Sequence, residues 1–162
     1  MELSVGDVVP FASTFLGVFV AFLLGVWWQG RQEAKGEEKR RRATKASIAS
    51  ELSGILGSVR KTFSLWEQAQ LGEIPHVDLS TDAKESAVAS GRFTLLELEF
   101  QVKVSHIYAV VERAKVYREK MIETLPGTIN QTLFPGLSSS FKGQLQHLTE
   151  VIPSLVQELS SD

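Results

Sequence analysis

The stretch VVPFASTFLGVFVAFLLGVWW, residues 8–28, carries no charge over 21 positions, and nothing else in the chain restricts its fold as much. As a helix rising about 1.5 Å per residue it would reach roughly 31 Å, enough to cross a bilayer core of about 30 Å. Twelve of its residues are Val, Leu or Phe, each favouring insertion by about 0.3–0.6 kcal/mol near mid-span. A buried helix of a water-soluble domain usually keeps a polar stripe; this one has none. The sequence therefore predicts one N-terminal transmembrane helix over residues 8–28, preceded by a short tail, residues 1–7. A cleaved signal peptide fits less well. It would want a basic start and small residues near its end, where this chain has Glu2 and Asp7, then Trp27 and Trp28.

Charge sets the direction of crossing. Residues 1–30 hold two acidic side chains and no Lys or Arg, residues 31–45 have a net charge of +4, and residues 46–162 have −4. Basic residues collect on the cytoplasmic side of a span. The N-terminus is thus expected outside and the C-terminal domain in the cytoplasm, at the cell inner (plasma) membrane. Trp27, Trp28, Arg31 and Lys35 are the expected interfacial contacts with lipid. Within the span Ser13, Gly17, Ala21 and Gly25 recur every fourth residue. Such a stripe lets a second helix backbone come close, which lipid cannot replace. It predicts a homo-oligomer or pairing with another membrane protein.

Ser4 or Asp7 can cap the span; residues 29–46 have no apolar face and predict a basic helical stalk, loosened at Gly30 and Gly36. Glu37 with Arg41 and Glu38 with Arg42 have the favourable i, i+4 order. From residue 47 the chain reads as a helical bundle to residue 162. Ile48, Leu52, Ile55, Leu56, Val59, Phe63 and Trp66 make one apolar helical face, ended by Gly72. Gly54, Gly57 and Ser58 are small enough to admit a neighbour. Ser80, Thr81 and Asp82 offer caps for a short helix through Ala89, stopped by Ser90–Gly91.

Thr94 with Glu97 predicts a capping box, and Phe93 with Leu98 a hydrophobic staple, opening a helix from Leu95 to about Thr124. Its stripe is Leu96, Phe100, Val104, Ile107, Val111, Ala114 and Met121, widened by Val110 and Tyr117. Leu98 and Val102 on the other side suggest burial from two directions. Residues 128–136 read as a loop and Leu137–Ser140 as a cap region. Phe141, Leu145, Leu148, Ile152, Leu155 and Leu159 then form a heptad-like bundle interface that keeps register across Pro153. The expected fold is all-α: a membrane helix continuing through a polar stalk into a cytosolic antiparallel bundle.

The order of parts (the STFLGVFVAFLLG span, the basic stalk, ASELSGIL, then TDAKESAVASGRFTLLELEFQVKVSHIY) resembles a broad set of uncharacterised prokaryotic single-pass membrane proteins. In these an EL-containing helix precedes an "SG…L…L…Y" segment. The likeness covers about residues 13–110. It implies the same architecture and brings no activity, cofactor or site residues. Ser90–Gly91 and Tyr108 match it, and read physically as a helix stop and a half-buried ring.

Chemistry-bearing motifs are sparse. With no cysteine, disulfides and thiolate metal sites are excluded. His76, His106 and His147 form no pair at i, i+3 or i+4, so no metal is expected. Glu99 and Lys103 near His106 suggest surface ion pairing. No phosphate loop, dinucleotide fingerprint or nucleophile elbow is present, so neither an enzyme nor a cofactor is expected. The acidic pairs Glu97/Glu99 and Glu119/Glu123 read as solvated faces. The basic run at 39–42 lacks interleaved aromatics, which argues against nucleic acid. The expected function is a membrane-anchored helical interaction or scaffold protein that self-associates through span and bundle. The alternatives are an oligomeric membrane-active effector or pore subunit, and an accessory subunit of a larger membrane complex.

Overall fold

A computed structural model describes residues 5–66, 74, 76–124 and 133–161, with backbone alone for 5–17. The described residues form four α-helices and one 3-10 turn, without strands: α1 (Val5–Trp66), α2 (Asp82–Ala89), the turn Arg92–Leu95, α3 (Leu98–Thr124) and α4 (Phe134–Ser160). The chain divides into two compact units, 1–40 and 41–162.

In the first unit α1 is already helical at Val5, so Asp7 lies inside the helix rather than capping it, and Gly30 and Gly36 do not interrupt it. Ser4 lies outside the described residues. Among the described residues no helix is long and apolar enough to cross a membrane. Positions 8–17 of the expected span, with Ser13 and Gly17, have side chains outside the described set.

The second unit starts at Arg41, inside the expected stalk, and Thr44 and Lys45 are buried there. Ile48, Leu52, Ile55 and Val59 of α1 meet Val104, Ile107, Val111 and Met121 of α3 and the six apolar residues of α4 in one core. These repeats of three and four keep one side of each helix turned inward over several turns.

Helix direction follows from the contacts. Arg41 reaches Glu97 at 2.8 Å and Glu51 meets Tyr108, so α1 and α3 run parallel. Trp66 packs on Phe141 at 5.7 Å, and Lys103 meets Glu158 at 2.6 Å, so α4 is antiparallel to both. The fully antiparallel bundle expected from sequence is thus corrected. Residues 76–97 run back along α1 before α3 begins. The Thr62 hydroxyl is 3.3 Å from the His76 carbonyl, and the Asp78 N–H donates to Ser58 Oγ at 2.7 Å. Val77 and Leu79 of this return are buried in the core.

Four local expectations are also corrected. No capping box forms at Thr94, whose hydroxyl donates to the Gly91 carbonyl at 2.7 Å. Gly91, at φ 69°, turns the chain into the 3-10 turn, Leu96 is extended, and α3 begins only at Leu98. Phe93 packs on the core while Leu98 is 75% exposed, so the staple is absent too. Val102 is 61% exposed, so the start of α3 is not covered from two sides. Finally, α4 begins at Phe134, with Pro135–Gly136 in its first turn and 137–140 inside it. Proline's fixed φ and missing N–H suit a first turn as well as a loop. Pro153 does not divide α4, in keeping with the unbroken register. Residues 128–132 and Gly72 lie outside the described residues.

Candidate functional site

A polar cluster joining three helices is centred on Glu51 of α1. Its Oε2 accepts from the Tyr108 hydroxyl of α3. Its Oε1 accepts from Ser80 Oγ at 2.9 Å and from the Ala83 N–H at 2.9 Å. Ala83 is in the first turn of α2, whose N-cap residue Thr81 makes no side-chain cap. A carboxylate from another helix thus satisfies a first-turn N–H, with the favourable sign for the helix dipole. Thr81 instead donates to Glu85 Oε1 at 2.7 Å and accepts from Lys115 Nζ of α3 at 3.2 Å. Three helices and the return segment meet here.

The electrostatics favour a fixed charge. Burial alone would push the Glu51 carboxyl up. Hydrogen bonds from Tyr108, the Ala83 N–H, Ser80 and the Lys84 N–H outweigh it and hold the group below its ordinary 4.5. Tyr108 moves the other way, raised by burial first and then by the Glu51 carboxylate that its neutral hydroxyl serves. Tyr108 is fully buried, which corrects the half-buried ring expected from sequence. Glu51 is therefore held ionised with both oxygens engaged, and Tyr108 is held neutral. A base or nucleophile poised near neutral pH needs the opposite arrangement. Beside the pair lies an open groove of about 600 Å³, bordered by Ser47, Ser50, Gly54, Asp78 and Asp82.

The residues singled out from sequence lie elsewhere. Ala21, Gly25, Trp27, Trp28, Arg31 and Lys35 are exposed, and the Arg31 guanidinium stacks over Trp27 at 4.8 Å. Phe141, Leu145, Leu148, Ile152, Leu155 and Leu159 are buried in the chain's own core, so that seam faces inward. Gly54 and Gly57 face open space rather than a close neighbour. Glu97 pairs with Arg41, and Glu99 with Lys103 at 2.7 Å. His106 lies edge-on to His147 of α4, with ring centroids 6.1 Å apart. Among the described residues no three His, Asp or Glu side chains are grouped as in a metal site.

Sequence reasoning missed Glu51 because its partners Ser80 and Tyr108 are 29 and 57 positions away. One signal did exist. The "EL" and "Y" of the resemblance motif are Glu51 and Tyr108, and the fold brings them into contact. Fold and site together define a small helical domain whose crossover is fastened by one part-buried carboxylate. No family model, curated protein or solved structure matches the chain, and the resemblance to single-pass membrane proteins rests on the quoted motifs alone.

Proposed function

We propose that the chain is a membrane-tethered helical interaction module that self-associates. One observation carries the reading: residues 18–28 of α1 are exposed on every side, Val18, Phe22 and Leu24 each by more than half. A helix apolar all round needs an apolar solvent, and the 21-residue run to which these residues belong has the length for lipid to be that solvent. The Trp27–Arg31 stack supports an interface at its end, and the basic residues after it support a cytoplasmic C-terminal domain.

Two features support self-association. Gly25 continues the small-residue stripe, and a Cβ added there would meet nothing within 4 Å. On α3, Leu98, Val102, Ser105, Ala109 and Val116 repeat at heptad spacing on the exposed side. Such a strip suits the same strip of a second copy. Tethering would raise the local concentration of these domains, so weak contacts suffice.

The test is a chain count by native mass spectrometry of the full chain in detergent. More than one chain per particle is expected, falling to one in Gly25→Leu, which fills open space in the single chain. A wild-type monomer, or an unchanged count in the variant together with Val102→Lys, overturns the reading.

A further inference from the structure

The open groove of about 600 Å³ beside Glu51 is floored by the outward face of α1, at Ser47, Ser50 and Gly54, and bordered on one edge by Asp78 and Asp82. We propose that this groove receives α1 of a second copy of the chain, the two helices running parallel and each setting its Asp78 against the other's Arg60. The proposal rests on the self-association proposed above and places a contact of its own within the unit 41–162.

The charges on the two edges select this occupant. The Asp78 N–H donates to Ser58 Oγ at 2.7 Å, so Asp78 stands level with residue 58 of α1. Arg60 follows two positions later, about 3 Å further along the helix and about 200° around it, which puts it on the other edge. Asp78, Asp82 and Arg60 are exposed, and none of them forms an ion pair among the described residues. A two-fold axis parallel to two facing helices lays the acidic edge of each against the opposite edge of the other. Asp78 then meets the other copy's Arg60 at nearly the same height, and the pairing occurs twice. An antiparallel pair would lay acidic edge on acidic edge, and like charges facing each other are costly.

The floor admits a helix at close range. Gly54 and Gly57 are both exposed, and a Cβ added at either meets nothing within 4 Å. Glycine weakens a helix interior, so the chain's own packing gains nothing from these two. With Ser50 and two glycines facing a second copy, the helix axes can come to about 8 Å, the near end of the usual range. Charge pairs at the rim of such a contact fix its register and exclude the reversed orientation.

The chain has no cysteine, so one introduced thiol reports which residues of two copies meet. In the full chain in detergent, Ser50→Cys is expected to form a disulfide-linked dimer under mild oxidation, because a parallel seam sets residue 50 against itself. Gln146→Cys, exposed on α4, should link far more slowly. Added to Ser50→Cys, either Asp78→Lys or Arg60→Glu should slow linkage about tenfold, and the two together should restore it. Gly57→Leu, which fills open space in the single chain, should slow it too. Linkage at 146 as fast as at 50, or no recovery in the double reversal, overturns the proposal, and a wild-type count above one chain per particle then leaves self-association itself standing. A wild-type monomer overturns both.

Discussion

Glu51 and Tyr108 are stabilised in opposite charge states, and the pH dependence of folding should report both. A carboxyl held below 4.5 in the native state contributes its full stabilisation above that value and loses it as pH falls through the lowered native one. The tyrosine works in reverse. Above pH 10.0 an unfolded Tyr108 ionises while the native one stays neutral, so stability declines by about 1.4 kcal/mol per pH unit from that side chain. Urea unfolding at pH 9 to 11 should show the decline, and Tyr108→Phe should remove that share of it. At neutral pH Glu51→Ala strands a buried hydroxyl and a first-turn N–H, at an expected cost of about 2–4 kcal/mol. The double variant with Tyr108→Phe should cost less than the sum of the two singles, because both remove the same bond. Additive costs would mean that the two groups do not act together.

At the scale of elements, α4 shows how strongly register constrains a helix. Phe141, Leu145, Leu148, Ile152, Leu155 and Leu159 alternate fourth and third positions through Pro153, and every one is buried. Leu148→Ala should therefore cost about 2–5 kcal/mol. Val102→Ala on the exposed face of α3 should change the single chain by less than about 0.5 kcal/mol. Thermal unfolding of both variants in detergent checks the contrast. What was legible in the sequence was the periodic part: the inner faces of α1, α3 and α4 and the stop at Ser90–Gly91. What was not legible depended on distant partners. Thr94 and Glu97 spell a capping box locally, yet Glu97 is drawn to Arg41 and Lys45 of α1, and Lys45 itself covers the Phe100 ring at 4.4 Å. Helix direction was equally hidden, because nothing local to residues 76–97 says that they run back along α1. Glu51 itself looks like any helical glutamate until Ser80, Ala83 and Tyr108 come together around it.

Across the whole molecule the burial is one-sided. Every residue of the core cluster lies between Ile48 and Leu159, inside the unit 41–162. The first unit adds none among the described residues, and its positions 18–28 are uniformly exposed. Folding of the second unit should then be independent of the first, and the membrane tether proposed above would reside in residues 1–40. A fragment of residues 41–162 is expected to unfold in one cooperative transition and to remain in the supernatant after high-speed centrifugation without detergent. The full chain should sediment with membranes and resist alkaline carbonate. Leu16→Arg would place a charge near the middle of the proposed span, at about 2.5–3.5 kcal/mol on the insertion scale, and should shift the full chain toward the supernatant. A fragment that sediments as the full chain does would relocate the attachment to the bundle, where Leu98 and Val102 would be the first residues to replace. A full chain that stays soluble would remove the tether, leaving the Glu51 cluster to be judged on its own measurements.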